Sequence, residues 1–366
     1  MPSVDRTLAS QADVPLAPLT TLGVGGRARW LVRAQTADQA AAAIKWSADQ
    51  QVPLFVLGGG SNLVVSDEGF DGLVLQVAVA GLEFIAERDR TIVRAGAGEP
   101  WDDVVSAAVS RGLAGLECLS GIPGTTGGTP IQNVGAYGQD VSRTITAVTV
   151  LDRATGATRV MAGTECGFGY RSSRFKGDDA GRFVVCDVTF SLAPGAPTLA
   201  YPDVIAELEG RGITAPTVSD VREAVLAIRR RKGMVIDAAD PDTRSVGSFF
   251  MNPVVDADHR GRLARARDAK IPGYELPDGR LKVPAAWLIE QSGFARGYSS
   301  GTAGISSKHP LAIVNRGGAT ARDVLALAVQ IKRQVADHFG VWLRPEPAFV
   351  GFEDDPDVAF LQETVN

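Results

Sequence analysis

The spacing of apolar and polar residues along the chain predicts several helices. Thr36-Ala-Asp-Gln39 is a capping box in front of an alanine-rich stretch, which predicts a helix that reaches about Gln50. From Thr320 to Gly340, apolar residues recur on one helical face and glycine follows the last turn. Start and stop signals of the same kind predict two more helices, over about 100–112 and 219–232.

Short β-branched runs bounded by turn residues predict strands between these helices. The predicted strands are Pro53–Leu57, Leu73–Val77, Thr91–Ala95, Ala147–Leu151 and Phe183–Ser191. The order helix, strand, glycine loop, strand favours an α/β arrangement near the start of the chain. The middle of the chain, from about 80 to 230, has the pattern of an α+β domain.

The composition is that of an ordinary globular protein of about two or three domains. The chain has 366 residues, 45% of them hydrophobic, with 37 basic and 42 acidic side chains. This apolar content excludes a disordered chain. The net charge of −5 argues against non-specific binding of nucleic acid, which needs a basic surface.

The chain lacks the sequence patterns of a disulfide scaffold, a metal site and a membrane span. Cys118, Cys166 and Cys186 are too few for a disulfide scaffold and fit no zinc spacing, so we expect reduced thiols in a cytoplasmic protein. His259, His309 and His338 are too scattered to predict a metal site. The first ten residues lack the apolar core of a signal peptide, and the longest uncharged stretch is rich in glycine and proline. We therefore expect no leader and no membrane span.

Glycine is the one abnormal count. The chain has 41 glycines, against roughly 26 expected from an average usage of about 7%. Three of them stand together in Leu57-Gly58-Gly59-Gly60-Ser61-Asn62, after a predicted strand. Backbone without side chains can approach an anion closely, and successive N–H groups can bind it. This segment is neither a Walker loop nor a dinucleotide fingerprint, and a structural tight turn is an equally good interpretation.

A second glycine-rich segment runs from Gly121 to Gly138. It is uncharged and holds six glycines together with Thr, Gln and Asn donors. Uncharged loops of this length are seldom mere connections. The composition favours binding of a nucleotide, whose diphosphate would lie on backbone amides. The alternative is a buried connection rich in glycine and proline.

The two loops, LGGGSN and IPGTTGGTPIQNVGAYG, resemble the flavin-binding half of the UDP-N-acetylenolpyruvoylglucosamine reductase family. The resemblance continues in family order over about residues 16–352. The further matching motifs are Thr21-Leu-Gly-Val-Gly-Gly26, Ala95-Gly-Ala-Gly-Glu-Pro-Trp101, Gly169-Tyr-Arg-Ser-Ser-Arg-Phe-Lys176, Gly247-Ser-Phe-Phe-Met-Asn-Pro253, Ala286-Trp-Leu-Ile-Glu-Gln291 and Arg344-Pro-Glu-Pro347.

The resemblance implies an α+β protein with an FAD-binding fold of the vanillyl-alcohol-oxidase type in two domains, 1–79 and 80–233. A third α+β domain, 234–340, would bind the substrate, and 341–366 would return to the first. The family reduces UDP-N-acetylglucosamine-enolpyruvate to UDP-N-acetylmuramate, a peptidoglycan precursor. NADPH is the reductant and FAD is held without a covalent bond. We expect a monomer with small-molecule partners and no contact with nucleic acid or membrane.

The resemblance also implies which residues bind FAD. They belong to the two glycine loops, with one arginine outside them. The set is Leu57, Gly58, Gly59, Gly60, Ser61, Asn62, Gly121, Ile122, Pro123, Gly124, Thr125, Gly128, Thr129, Ile131, Gln132, Asn133, Gly135, Ala136, Tyr137 and Arg229.

Three residues match the family's catalytic residues. Ser248 matches the proton donor, although its local sequence alone favours an ordinary turn serine. Arg171 matches the catalytic arginine, whose planar fork suits a carboxylate; the alternative is a surface ion pair near Asp178. Glu346, between two prolines, matches the catalytic glutamate and would have to carry or share a proton to assist an enolate.

The substrate residues implied by the resemblance are Tyr201, Lys232, Asn252, Lys282 and Gln291. Tyr201 matches the branch of the family whose tyrosine loop covers the uridine diphosphate, and Lys232 ends a basic run that also suits a helix C-terminus. Met251 stands where many members have lysine, so one cation is missing beside Ser248. Glycine, methionine and valine follow Lys232 where leucine and proline are common in the family.

Two other interpretations compete with this one. A flavin oxidase or dehydrogenase of the wider superfamily would share the glycine loops and often binds FAD through histidine, which neither loop contains. A non-catalytic nucleotide-binding protein is the second alternative, and the presence of Ser248, Arg171 and Glu346 argues against it.

Overall fold

The computed structural model describes residues 9–256, 261 and 271–364. The chain forms two compact units. The first unit contains the described residues of Met1–Val14, with Ala28–Gly60 and Asp71–Val235. The second contains Pro15–Arg27, Ser61–Phe70 and the described residues of Ile236–Asn366. The finer division into three domains stays a prediction.

Up to residue 231, the structure contains every predicted helix and strand, together with two helices and eight strands that were not predicted. The helices are α1 (Ala37–Asp49), α2 (Trp101–Val109), α3 (Thr129–Gln132), α4 (Pro202–Gly210) and α5 (Val218–Arg231). The strands are β1 (Ser10–Pro15), β2 (Arg27–Ala34), β3 (Leu54–Leu57), β4 (Leu63–Val65), β5 (Phe70–Val77), β6 (Leu82–Glu87), β7 (Arg90–Gly96), β8 (Leu113–Ala114), β9 (Gly135–Ala136), β10 (Gln139–Asp140), β11 (Ile145–Asp152), β12 (Thr158–Ala162) and β13 (Phe183–Pro194).

The first unit contains a four-stranded sheet in the order β1-β2-β5-β3, in which β3 and β5 are parallel. Helix α1 begins where the capping box predicts, since the hydroxyl of Thr36 accepts the N–H of Gln39. Its buried face brings Trp46 against Trp30 of β2, with ring centroids 5.4 Å apart. This packing ties α1 to the sheet from which the first glycine loop emerges.

A second, antiparallel sheet of the first unit has the order β12-β11-β13-β7-β6. Val188 of β13 lies opposite Val148 of β11 and Ala95 of β7, and all three are fully buried. Trp101, the first residue of α2, packs on Phe190 of the same strand, with centroids 5.8 Å apart. The burial of these apolar residues fixes the start of α2 beside the end of β7.

The second unit is built around one long helix. Its helices are α6 (Ala285–Gln291), α7 (Ala321–Phe339) and α8 (Pro356–Gln362), and its later strands are β14 (Val254–Val255), β15 (Tyr274–Glu275), β16 (Leu281–Lys282), β17 (Ser299–Ser300), β18 (Ala303–Ile305), β19 (Ile313–Asn315) and β20 (Ala348–Val350). Strand β20 pairs in parallel with β4, which also belongs to this unit. The other strands form two small sheets, β14-β16-β15 and β17-β18-β19.

Helix α7 confirms the predicted apolar face. Val324, Ala328, Ile331 and Val335 are all buried in the core of the second unit. Thr320 and Asp323 cap its first turn reciprocally, and Gly340 ends it with a φ of +64°. Among the described residues, no helix combines the length and apolar character needed to cross a bilayer.

One lysine is fully buried in this core. The ammonium of Lys332 on α7 donates to the carbonyls of Phe360, Leu361 and Glu363, at 2.7 to 2.8 Å. These carbonyls lie at the C-terminal end of α8, where the last carbonyl groups of a helix find few or no N–H donors within the helix itself. The ring of Trp342 lies 5.3 Å from the same ammonium. Lys332 therefore attaches the last described helix to the core.

All three cysteines are free and buried. Burial raises the pKa of Cys118 to about 12 and those of Cys166 and Cys186 to about 11. Thiols of this kind are poorly reactive near neutral pH, because the reactive species is the thiolate.

Replacing Lys332 with Met should destabilise the protein by at least about 2 kcal/mol, because three carbonyls, among them that of the buried Leu361, lose a charged donor. The urea midpoint, followed by tryptophan fluorescence, measures the loss. The matched control is Lys45→Met, which removes an exposed pair with Asp49 on α1 and should change the midpoint little. Equal midpoints for the two variants would contradict the role given to Lys332.

Candidate active site

The two glycine loops meet backbone to backbone within the first unit. Gly58 to Gly60 follow β3, whose last residue Leu57 is buried. A Cβ on Gly59 would lie 2.6 Å from the Cα of Gly124, closer than any real Cβ contact, and Gly60 has a φ of +64°. Residue 59 must therefore be glycine for the loops to approach.

The second loop contains more regular structure than its sequence suggests. A 3-10 turn at Thr126–Gly128 leads directly into α3, and a short antiparallel pair, β9 and β10, follows. The loop is fastened to the start of α2, since the N–H of Gly121 donates to Asp102 at 2.6 Å and the N–H of Trp101 donates to the carbonyl of Gly124 at 3.0 Å.

Asp102 is the centre of this attachment. Arg222 of α5 donates to both its carboxylate oxygens, at 2.7 and 2.8 Å. Burial opposes ionisation of Asp102, but the hydrogen bonds from Arg222 and Gly121 outweigh it and lower the pKa of the carboxyl below its ordinary value. One ionised carboxylate thus joins α2, α5 and the first residue of the second loop.

Two buried polar atoms near the loops lack a hydrogen-bond partner within the described chain. They are the hydroxyl of Thr125 and Nε of Arg229. The first would lie 3.1 Å from a Cβ on Gly58, and the second 3.5 Å from a Cβ on Gly121. Buried polar atoms are nearly always bonded, so these two atoms indicate a ligand that contacts both loops. The donor set and the missing Cβ atoms fit the diphosphate and ring system of FAD.

Arg229 is buried on α5, and its Nη2 donates to the carbonyl of Met234 at 2.8 Å. Burial lowers the pKa of this guanidinium; Tyr137 and Asp102 counteract the shift, and the nearby charge of Arg171 adds to it. Two guanidinium groups in one neighbourhood favour an anionic ligand there.

Arg171 lies in a tight turn that is attached to the second loop. Gly169 and Ser172 close the turn by reciprocal backbone hydrogen bonds of 2.9 and 3.2 Å. Nη2 of Arg171 donates to the carbonyl of Gly135 at 2.6 Å. Three more side-chain hydrogen bonds join residues 169–176 to residues 131–133, namely Asn133 to Gly169, Ser173 to Ile131 and Lys176 to Gln132.

Backbone strain accompanies this attachment. Asn133, Tyr137 and Arg171 have φ values of +45°, +49° and +51°, in the left-handed region that non-glycine residues seldom adopt. Such strain persists only where the surroundings hold the residue, and it is frequent at functional sites. The hydrogen bonds just described support Asn133 and Arg171, and ring packing with Tyr201 supports Tyr137.

Tyr201 and Lys232 come together at one end of the α4–α5 pair. Tyr201 immediately precedes α4, and its ring contacts that of Tyr137 edge to face, with centroids 5.3 Å apart. Lys232 immediately follows α5 and forms an ion pair with Asp203 at 3.0 Å. The first unit therefore brings these two predicted substrate residues together, with Tyr201 against the second glycine loop.

In the second unit, backbone hydrogen bonds bring Ser248 and Glu346 close together. The N–H of Glu346 donates to the carbonyl of Phe249 at 2.8 Å, and Phe250 bridges to Pro345. The amide of Asn62 donates to the carbonyl of Glu346 at 3.2 Å. Ser248 and Glu346 are both half-buried, and Ser248 follows Gly247, whose φ is +77°.

The other predicted substrate residues lie around α6. The side-chain oxygen of Asn252 accepts the N–H of Ala285, the first residue of α6, at 2.9 Å. Lys282 lies in the central strand of the small sheet β14-β16-β15, and Gln291 is the exposed last residue of α6. Ser292, which follows it, has a buried hydroxyl with no partner among the described residues.

No cluster of metal-ligating side chains occurs among the described residues. His309 accepts the N–H of Leu311 at 3.0 Å, and His338 lies in the last turn of α7. His259 lies outside the described residues.

Sequence reasoning missed the residues that hold the site together. The sequence around Asp102 predicts only a charge that favours a helix start, because its partner Arg222 is 120 positions away. Ser173 and Lys176 were noticed only as letters of a motif. The one available signal was their position within motifs that flank the glycine loops.

Comparisons with known proteins agree with this geometry. The model of an FAD binding domain matches residues 28–162. The model of the UDP-N-acetylenolpyruvoylglucosamine reductase C-terminal domain matches residues 240–350. The matching residues include both glycine loops, and Ser248 and Glu346.

Whole-length relatives carry the same family name. The UDP-N-acetylenolpyruvoylglucosamine reductase of Thermobifida fusca is 50% identical over 358 residues, covering 94% of this chain and 99% of the relative. That of Mycobacterium tuberculosis strain H37Rv is 48% identical over 356 residues, covering 92% and 94%. The crystal structure of the Thermus caldophilus reductase has a TM-score of 0.63 at 27% identity, covering 94% of this chain and 98% of that one.

These matches confirm the predicted α+β fold with an FAD-binding domain. At half-identity over nearly the full length of both chains, the chain belongs to the UDP-N-acetylenolpyruvoylglucosamine reductase family.

Proposed function

We propose that this protein reduces UDP-N-acetylglucosamine-enolpyruvate to UDP-N-acetylmuramate in the synthesis of peptidoglycan precursors. NADPH is the reductant, FAD is the non-covalent cofactor, and the enzyme acts as a cytoplasmic monomer. The observation that carries the proposal is the backbone hydrogen bond from Glu346 to Phe249, the residue that follows Ser248. Membership of the reductase family supports it.

FAD, when bound and reduced by NADPH, would supply the hydride that adds to the terminal carbon of the enolpyruvyl double bond. We assign its binding to the two glycine loops, with Thr125 and Arg229 as the buried donors that still need a partner. The contact between Gly59 and Gly124 keeps side chains out of the space a diphosphate needs.

Addition of hydride leaves negative charge on the carbon that bears the substrate carboxylate, so a proton must reach that carbon. We assign its delivery to the hydroxyl of Ser248. A serine hydroxyl is a poor acid in water, but an enolate is a strong base, and a half-buried site strengthens the polarising effect of neighbouring charges.

Arg171 and Glu346 would stabilise the same developing charge. The bond from Arg171 to the carbonyl of Gly135 orients a guanidinium plane that suits bidentate pairing with a carboxylate. The carboxyl of Glu346 would donate a hydrogen bond to the enolate if it carries or shares a proton. Groups fixed before the reaction need no reorganisation when the charge appears.

The uridine diphosphate needs a flat apolar surface and cations. Tyr201 offers an aromatic face beside Tyr137, and Lys232 supplies an ammonium at the same end of α4 and α5. In the second unit we assign contacts to Asn252, Lys282 and Gln291. Because Asn252 already accepts the N–H of Ala285, its amide N–H groups would make the substrate contact.

The purified protein should be yellow, NADPH should bleach the flavin band, and UDP-N-acetylglucosamine-enolpyruvate should restore it. The two half-reactions can be followed separately by absorbance under anaerobic conditions. A colourless protein that binds no added FAD would overturn the proposal. Bleaching that only oxygen reverses would point to an oxidase of the wider flavin superfamily.

Ser248→Ala should leave flavin reduction by NADPH within about twofold, while reoxidation by the substrate slows by about a thousandfold or more, because proton delivery belongs only to the second half-reaction. Stopped-flow absorbance measures both rates. Ser299→Ala, an exposed serine of the same unit, should change neither. Near-normal reoxidation of the Ser248 variant would remove this residue from its role.

Asp102→Asn should weaken FAD retention about tenfold or more, because the bonds that hold Gly121 and Arg222 lose their charged acceptor. The rise of flavin fluorescence on dilution measures the release. Since the pKa of Asp102 is lowered from 3.8, the wild-type carboxylate is ionised over pH 5–8 and the difference should stay constant there.

As the pH falls through that lowered pKa, the wild type should lose the same bonds and approach the variant. The control is Asp71→Asn, which removes an exposed pair with Arg29 and should release no flavin. Equal release from both variants would show that the Asp102 attachment does not support the cofactor site.

A further inference from the structure

A fully buried carboxylate lies just before the second glycine loop and has no part in the mechanism above. Glu117 begins a short 3-10 turn, Glu117–Leu119, and its residue is 0% exposed. One carboxylate oxygen accepts the N–H of Gly115 at 2.7 Å, and the other accepts the N–H of Thr198 at 2.7 Å. Burying a carboxylate is costly, so these two bonds must compensate for lost hydration.

The two bonds explain why the residue is acidic. Each donor is a backbone N–H that approaches a different oxygen, and a carboxylate can accept at both. A glutamine amide of the same size has one acceptor, and its NH₂ group would face the other N–H. The site therefore needs Glu rather than Gln at position 117.

Thr198 is held from two further buried positions. The amide of Gln139 donates to the Thr198 hydroxyl at 2.9 Å, and the thiol of Cys118 donates to its carbonyl at 3.5 Å. The oxygen of the same Gln139 amide accepts the N–H of Cys118 at 2.8 Å. Glu117, Cys118 and Gln139 thus bind one residue of an otherwise irregular segment, 195–201, between β13 and α4.

This segment ends at Tyr201, three residues after Thr198. Three residues span at most about 10 Å, so the attachment of Thr198 restricts where Tyr201 can lie. The segment also touches the second loop at two points, since a Cβ on Gly138 would meet the Cβ of Ala200 at 2.7 Å and Tyr201 packs on Tyr137. Leu199 between these contacts is exposed, so the segment has little core of its own.

We infer that Glu117 is a positioning residue that fixes Tyr201 for the uridine diphosphate of the substrate. The inference rests on the proposed function, because it takes Tyr201 to contact the substrate. Its chemical role is preorganisation: a segment already held in place loses less conformational freedom when the ligand binds. Loss of the attachment should therefore weaken substrate binding and leave reduction of the flavin unchanged.

The test compares Glu117→Gln with Tyr201→Ala in the flavin-loaded enzyme. Glu117→Gln should raise the KM for UDP-N-acetylglucosamine-enolpyruvate about tenfold, with the rate of flavin reduction by NADPH within about twofold. Amide hydrogen exchange in residues 195–201 should become faster. The double variant should have the KM of Tyr201→Ala alone, because both changes act through one contact.

Two more variants keep the outcome decisive. Thr198→Pro removes the N–H that donates to Glu117. If Glu117→Gln does not retain flavin, the KM of Thr198→Pro tests the inference in its place. Glu165→Gln is the matched control, since Glu165 accepts the N–H of Ala162 at 2.8 Å elsewhere in the first unit, and it should change neither KM nor exchange in the segment.

An unchanged KM in Glu117→Gln or Thr198→Pro, together with a raised KM in Tyr201→Ala, would overturn the inference and leave the role of Tyr201 intact. An unchanged KM in Tyr201→Ala would instead overturn the substrate role of Tyr201 and the inference with it. Neither result alters the separate test of flavin bleaching and restoration.

Discussion

The contact between Gly59 and Gly124 is the constraint on which the candidate cofactor site depends. At 2.6 Å from a hypothetical Cβ to the facing Cα, no side chain fits between the two loops. The elements next to the loops are held by packing. Strand β3 lies in a sheet packed on α1, and Trp101 at the start of α2 packs on Phe190. Asp102 then holds the start of the second loop by direct hydrogen bonds.

Once it is fixed, the second loop serves as a platform for two other segments. The Arg171 turn is bound to it by four side-chain hydrogen bonds. The Tyr201 segment contacts it through the ring of Tyr137 and is held beside it by the bond from Thr198 to Glu117. The left-handed backbone of Asn133, Tyr137 and Arg171 costs of order 1–3 kcal/mol at each residue. Because the second loop is attached both to the Arg171 turn and to the Tyr201 segment, these residues keep their strained backbone.

Local signals in the sequence predict the main helices and strands and part of the candidate site. The capping boxes at Thr36 and Thr320 and the β-branched runs predicted helices and strands that the structure contains, because caps and side-chain periods act over a few residues. The clustering of glycine located the two loops. The buried bonds were not predictable, since Thr198 lies 81 positions from Glu117 and Arg222 lies 120 from Asp102. Nothing in the spacing of such residues marks them as partners before the chain has folded.

The two units hold their candidate catalytic residues by different means. In the second unit, main-chain hydrogen bonds at Phe249 and the amide of Asn62 hold the backbone around Ser248 and Glu346. The side chains of Ser248 and Glu346 can therefore be replaced without loss of these bonds. In the first unit, Arg171 depends on side-chain bonds, and we infer that Tyr201 depends on the buried carboxylate of Glu117. Side chains that do not contact the substrate can therefore decide whether Arg171 and Tyr201 are correctly placed to bind it. Attention to the residues of the reaction alone would miss both Asp102 and Glu117. The buried carboxylate of Glu117 accepts two backbone N–H groups in place of water. The partly buried carboxylate of Asp102 accepts one backbone N–H and two bonds from Arg222.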